Sequence, residues 1–186
     1  MSIYHFAIVC IWAVFLIVWT VTAISARRSA GGWSGMIWRV AIIVAILVFF
    51  QGPLSGWLTS YHFAPESAPG FALAGDIVAA LGVAFAVWAR LRLGRNWGMP
   101  MSVQEGSELV TSGPYAYVRH PIYSGAILAL IGTALLLGPL WLVLPLLYAA
   151  YFTYSALQEE KRMMREFPDA YPAYRARTKF LIPFVW

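Results

Sequence analysis

Apolar and polar positions fall in blocks along this chain, with runs of membrane-crossing length separated by short polar stretches. Residues 3–25 form the first run, long and apolar enough for a bilayer, which takes about 20 residues. A second span covers residues 36–57 and is broken late by Gln51-Gly52-Pro53, which frays or kinks its far end. A third, residues 71–89, ends at Arg90, Arg92 and Arg95. The connector over residues 94–121 is too rich in glycine and proline for one continuous helix.

Two further apolar runs, residues 122–137 and 140–157, are separated only by Gly138-Pro139. The first gives about 24 Å of helix against a hydrocarbon core of ~30 Å. The pair therefore predicts a tight helical hairpin, with Pro121 at a first helical position and Pro145 kinking the return helix. From Gln158 the chain turns charged and amphipathic. It closes on apolar, aromatic residues 180–186, which are expected to dock back onto the interface. These elements make an all-α integral membrane protein of five transmembrane helices and one domain, residues 1–186. Three N-terminal spans (residues 1–92) precede a core (residues 93–186) whose cytoplasmic connector and tail close over a pocket.

The basic residues orient it. All 13 lysines and arginines lie near the first connector (Arg27, Arg28, Arg39), near the long one (Arg90, Arg92, Arg95, Arg119), or in the tail. Five alternating spans place every one of them on the same side. The positive-inside rule makes that side cytoplasmic, with the N-terminus outside and the C-terminus inside. Arginine outnumbers lysine, which points to a bacterial inner membrane.

Composition agrees: 61% of the 186 residues are hydrophobic and 11% charged, against about 25% charged in a soluble domain. The net charge of +5 sits at the ends of spans, which argues against nucleic acid as a partner. A single Cys10 in an apolar run allows neither a disulfide framework nor a cysteine metal site, and the three histidines are scattered, without metal-ligand spacing. The first run lacks a basic start and a small-residue cleavage site, so it reads as a retained helix. No glycine-rich dinucleotide fingerprint follows a strand signal.

One stretch stands out, Glu108-Leu-Val-Thr-Ser-Gly-Pro-Tyr-Ala-Tyr-Val-Arg-His-Pro-Ile-Tyr123. Polar side chains at that density beside apolar segments are costly unless they hold something polar. His120 precedes a proline, which keeps its backbone extended and its ring aimed. Facing it across the same compartment are Glu159, Glu160, Arg162, Tyr171, Tyr174 and Arg175. Adjacent residues point about 100° apart on a helix, so one glutamate faces the hairpin while the other pairs with a tail arginine. The residues themselves leave two readings open: an aromatic and basic belt at the membrane surface, or a ligand site. His5, His62 and Asp76 lie apart from this group and read as structural.

With those residues in view, the chain resembles the isoprenylcysteine carboxyl methyltransferase family of integral membrane enzymes, and the related phospholipid methyltransferases. The likeness rests on Glu108-Leu-Val-Thr-Ser-Gly-Pro-Tyr115, Val118-Arg-His-Pro-Ile-Tyr-Ser-Gly125, Glu159-Glu160, the run Phe167, Tyr171, Tyr174-Arg175, and Ile182-Pro183. It implies S-adenosyl-L-methionine as cofactor, reached from the cytoplasm, and a lipophilic acceptor entering sideways through lipid, with no metal. By carry-over, Leu109 and Val110, with the adjoining Glu108, contact adenosine. His120 and Tyr123, with Pro121 and Tyr117 beside them, hold the methionine moiety, and Glu159 or Glu160 binds polar groups of the cofactor. Ser107-Glu108 stands where the family often has Asn-His, and Phe167-Pro168 replaces a common Phe-Gly. If the acceptor is a carboxylate, Arg175 positions it; if it is an amine, Glu160 is the base. The rival readings are a membrane reductase of the sterol-reductase type using NADPH and a non-enzymatic lipid- or partner-binding protein.

Overall fold

The computed structural model describes residues 2–24, 68–94 and 108–185. The expected second span, the arginines at 27, 28, 39 and 95, and His62 lie outside the described residues. Helix α1 is Ile3–Ile24, α2 Pro69–Leu93, α3 Pro121–Leu137, α4 Val143–Glu166 and α5 Ala170–Arg177. Short 3-10 turns, Gly113–Ala116 and Pro139–Leu142, lead into α3 and α4. Among the described residues no strand forms. Three helical stretches there are long and apolar enough to cross a membrane, Ile3–Thr22, Pro69–Leu93 and Pro139–Glu166, with Pro121–Leu137 a shorter apolar helix.

Helix boundaries follow local chemistry. Ser2 caps α1, its Oγ accepting from the His5 amide at 3.4 Å and lying 2.8 Å from His5 Nδ1. Pro69 and Pro121 open α2 and α3 at positions where a missing N–H costs nothing. The third span runs past the expected end at residue 89 because Arg90 stays helical and is fully buried. Its guanidinium donates to Gly94 O at 2.9 Å and to Thr22 O, at the end of α1, at 2.6 Å. Pro145 falls in the first turn of α4 rather than mid-helix, because a 3-10 turn occupies residues 139–142. Its missing donor thus falls among the amides that have no intrahelical partner in any case.

The tightest packing joins α2 to α3. Gly75, Ala79, Gly82 and Ala86 face Gly125, Ala129, Gly132 and Leu136, all buried. A Cβ on Gly82 would lie 2.4 Å from Ala129 N and 2.6 Å from Gly125 O; one on Gly132 would lie 2.3 Å from Ala79 N. The two backbones touch, and in lipid such contact of small residues replaces the hydrophobic drive between helices. Helix α1 leans on this pair through Ile8, Tyr4 and Trp12, and Trp12 Nε1 donates to Thr133 Oγ1 at 3.0 Å. Helix α4 meets α3 at its foot, where Tyr123 and Phe152 stack with centroids 4.5 Å apart, while Leu146, Leu147 and Tyr154 stay exposed.

Candidate functional site

The connector is shaped before it reaches the site. Arg92, on the last turn of α2, donates from Nε (2.9 Å) and Nη2 (2.7 Å) to Ser112 Oγ. Gly113 follows with a φ of 64°, the left-handed region that suits glycine, and the Arg92 stem lies 3.1 Å from where its Cβ would be. The 3-10 turn then buries Pro114 and Tyr115, and Val118 is fully enclosed.

The tail closes over this connector by backbone bonds. Arg119 N donates to Lys179 O at 2.9 Å and Lys179 N to Tyr117 O at 3.0 Å, making one isolated parallel bridge between Val118 and Lys179. Tyr174 Oη donates to Tyr115 O at 2.8 Å, and Ser124 Oγ donates to Leu181 O. Burial pushes the Tyr174 phenol up to about 12 and raises Tyr115 and Tyr171 too, so all three stay protonated donors. Phe180 and Leu181 pack on Tyr123 and Ala156, whereas Ile182, Phe184 and Val185 remain exposed. The closing segment thus docks by its first half into the protein.

Where connector, α4 and tail meet, charged groups converge. Glu160 is buried, accepting from Arg119 Nε at 2.5 Å on one oxygen and lying 3.3 Å from Arg175 Nε on the other. Glu159 accepts from Tyr123 Oη at 2.5 Å. The His120 ring lies between the two carboxylates, Nδ1 3.5 Å from Glu159 and Nε2 3.6 Å from Glu160, and parallel to the Tyr123 ring at 5.7 Å. Burial disfavours charge on His120, but the two carboxylates outweigh it and hold its pKa above the ordinary histidine range. Glu159 thus turns to the hairpin and Glu160 to the tail.

His120, Tyr123, Glu159, Glu160 and Arg175 come together here, with Pro121 buried beneath them as the first residue of α3. Tyr117 does not join them: it is half exposed, its ring 5.9 Å from Phe184. Glu108 is exposed, and Leu109 and Val110 are half-buried at the start of the described connector. Arg119, one of the polar side chains the connector brings to this compartment but without an assigned role, takes a central place, donating also to Thr178 O at 2.5 Å. The signal was available: two adjacent acids entering a buried foot need more than one cation. A pocket of about 350 Å³ opens beside the cluster, lined by Arg119, Glu160, Arg175 and Lys179 with Leu157 and Phe180. Among the described residues no group of three or more metal-ligating side chains assembles.

This arrangement fits a cationic, polar cofactor. Two carboxylates converge here, Glu160 held by Arg119 and Arg175 and Glu159 by Tyr123, and two buried polar atoms, His120 Nε2 on the connector and Ser155 Oγ on α4, have no hydrogen-bond partner among the described residues. Comparison with known proteins agrees on the family. Residues 76–166 match the isoprenylcysteine carboxyl methyltransferase (ICMT) family. That match spans 91 of the 186 residues, just under half of the chain. The ICMT match holds His120, Tyr123, Glu159 and Glu160 and ends before Arg175.

Among curated proteins the chain is 38% identical over 79 residues to the protein-S-isoprenylcysteine O-methyltransferase of Schizosaccharomyces pombe, covering 41% of this chain and 34% of that one. It is 28% identical over 150 residues to the nickel-cobalt-cadmium resistance protein NccN of Alcaligenes xylosoxydans xylosoxydans (79% of this chain, 63% of the other). It is 30% identical over 118 residues to the uncharacterized protein YpbQ of Bacillus subtilis (63% and 55%). The chain thus spans from a third to under two thirds of the length of these relatives. The solved structure of the eukaryotic intramembrane Ras methyltransferase ICMT shares its fold, with a TM-score of 0.54 at 23% identity, covering 84% of this chain and 55% of that one. Among the described residues the fold is all-helical and three helices are long and apolar enough to cross a membrane, which makes this an integral membrane protein.

Proposed function

We propose that this chain is an S-adenosyl-L-methionine-dependent methyltransferase acting on a lipophilic acceptor at the cytoplasmic face of a bacterial inner membrane. The observation that carries the reading is the buried meeting of His120, Tyr123, Glu159 and Glu160 within the ICMT-family stretch. The ends of α1 and α2 that Arg90 joins to Thr22 O lie together, and the basic residues near them support making that side cytoplasmic, with the N-terminus outside and the C-terminus inside.

When bound, S-adenosyl-L-methionine supplies a sulfonium methyl group that an acceptor lone pair takes in line, the carbon–sulfur bond breaking as the new bond forms. The chain's part is alignment and charge. Glu159, held by Tyr123, presents a carboxylate to the cofactor's positive groups, and His120 offers Nε2 as a buried donor. Leu109 and Val110, with Glu108, form the adenosine side, and Pro121 flanks the methionine side. Arg175, half exposed beside Glu160, orients an acceptor carboxylate toward the methyl; for an amine acceptor Glu160 takes up the proton. Tail and connector, stitched together, shield His120 and Glu160 from water, while Arg175 stays half exposed.

Titration of the purified protein with S-adenosylhomocysteine and with NADPH tests this. Saturable binding of the first with none of the second is the expected result. NADPH binding alone would replace the reading with a reductase, and inertness to both would leave a lipid- or partner-binding protein. Mass spectrometry of membrane lipids after incubation with labelled methyl donor identifies the acceptor.

A further inference from the structure

The pocket beside the cluster has features that methyl transfer does not use, Lys179 and a wall rising along α4. Its base carries three cations, Arg119, Arg175 and Lys179, against one carboxylate, Glu160. Glu160 engages both arginines, at 2.5 and 3.3 Å. Among the described residues no carboxylate pairs with Lys179, whose backbone is fixed on both sides by the bridge to the connector. The pocket therefore holds surplus positive charge on a rigid mount. Its wall is different in kind. Thr153 and Leu157 rise from Glu160 along one face of α4, and Thr153 stands about 10 Å above Glu160 toward the bilayer centre. Phe180 and Val185 close the tail side, and exposed Phe184, in a left-handed backbone conformation with φ of 67°, stands next to Val185.

A charged floor under an apolar wall on a membrane helix is the shape of a lipid site. We propose that this pocket seats the phosphodiester headgroup of an anionic phospholipid from the cytoplasmic leaflet. Its phosphate lies against Lys179 and Arg175 and an acyl chain lies along Leu157 and Thr153. A soluble phosphate would match the cations and leave the apolar wall wet; a zwitterionic headgroup would leave the surplus charge unmatched. The site shares Arg175 and Glu160 with the methyltransferase reading, so an acidic acceptor would compete with the lipid for Arg175, whereas Lys179 belongs to the lipid site alone.

The full chain in neutral detergent is incubated with short-chain phosphatidylglycerol, with phosphatidylcholine of the same chain length, or with inorganic phosphate. Retention by native mass spectrometry and thermal shift are read for each, together with S-adenosylhomocysteine binding. Phosphatidylglycerol is retained and raises the melting temperature, and phosphatidylcholine does neither. Lys179→Gln, which keeps the backbone bridge, weakens retention several-fold, and Lys179→Arg restores it, both with S-adenosylhomocysteine binding unchanged. Equal retention of the two lipids, an unaffected Lys179→Gln, or stabilisation by inorganic phosphate alone equal to that by the lipid would each overturn the proposal. Loss of S-adenosylhomocysteine binding alone, with lipid retention intact, would count against the cofactor reading and not against this one.

Discussion

Arg119 and Glu160, 41 residues apart in the chain, meet at 2.5 Å with side chains only 9% and 6% exposed. A carboxylate so placed is tolerable only while its cation is present, since removing one partner of a buried pair leaves the other uncompensated. Arg119 is therefore a support for the candidate base as much as a wall of the pocket.

Arg119→Ala should cost about 3 kcal/mol, in the range for breaking a buried pair, and Arg119→Lys should recover part of it. Thermal unfolding in detergent measures both. An Arg119→Ala protein as stable as wild type would show that Arg175 alone neutralises Glu160.

His120 makes stability depend on pH in a definite direction. Its folded pKa is raised, so its contribution is fully present below the unfolded value of about 6.5 and is lost as pH rises through the higher folded value. The gap in melting temperature between wild type and His120→Gln should be widest near pH 6 and narrow at alkaline pH. A gap that widens with pH would mean the ring is held neutral.

Arg175 is the half-exposed cation of the cluster, so its loss should spare the fold. Arg175→Ala should lower methyl transfer to a carboxylate lipid at least tenfold, about 1.4 kcal/mol of transition-state stabilisation, with S-adenosylhomocysteine affinity unchanged. Undiminished transfer removes Arg175 from the mechanism.

The backbone contact between α2 and α3 allows a sharp comparison. Gly82→Leu places a side chain where Ala129 N already lies 2.4 Å away, and should cost about 3 kcal/mol or prevent folding. Gly70→Ala, with nothing within 4 Å, should be neutral or slightly stabilising. Similar yields of folded protein from the two variants would contradict the packing.

Tyr174→Phe removes the phenol bond to Tyr115 O and leaves that carbonyl buried without it. The expected loss is about 1 kcal/mol, with faster tryptic cleavage near Arg177 and Lys179 as the tail lifts. Unchanged cleavage would mean the parallel bridge alone holds the tail.

Much of this was legible in residue order because lipid imposes simple rules. Blocks of apolar residues set the first and third spans within a few residues, and Gly138-Pro139 marked the hairpin apex, since no helix runs through that pair. The polar density around His120 and the glutamate pair opposite it pointed to one cluster because buried charge needs partners, and these side chains do converge. The third span outran its expected end at Ala89 because Arg90 found carbonyls at Thr22 O and Gly94 O, and no local pattern shows that.

From the sequence by itself came a membrane-embedded helical chain and the residue types of its polar site, because hydropathy and proline chemistry act locally. Tertiary structure alone decided which partner each charge took. That Glu160 answers to Arg119, that Tyr117 turns outward, and that four glycines press two helices together all depend on contacts between residues distant in the chain. Such contacts follow from the register in which helices and tail pack, and register is a property of surfaces meeting in space.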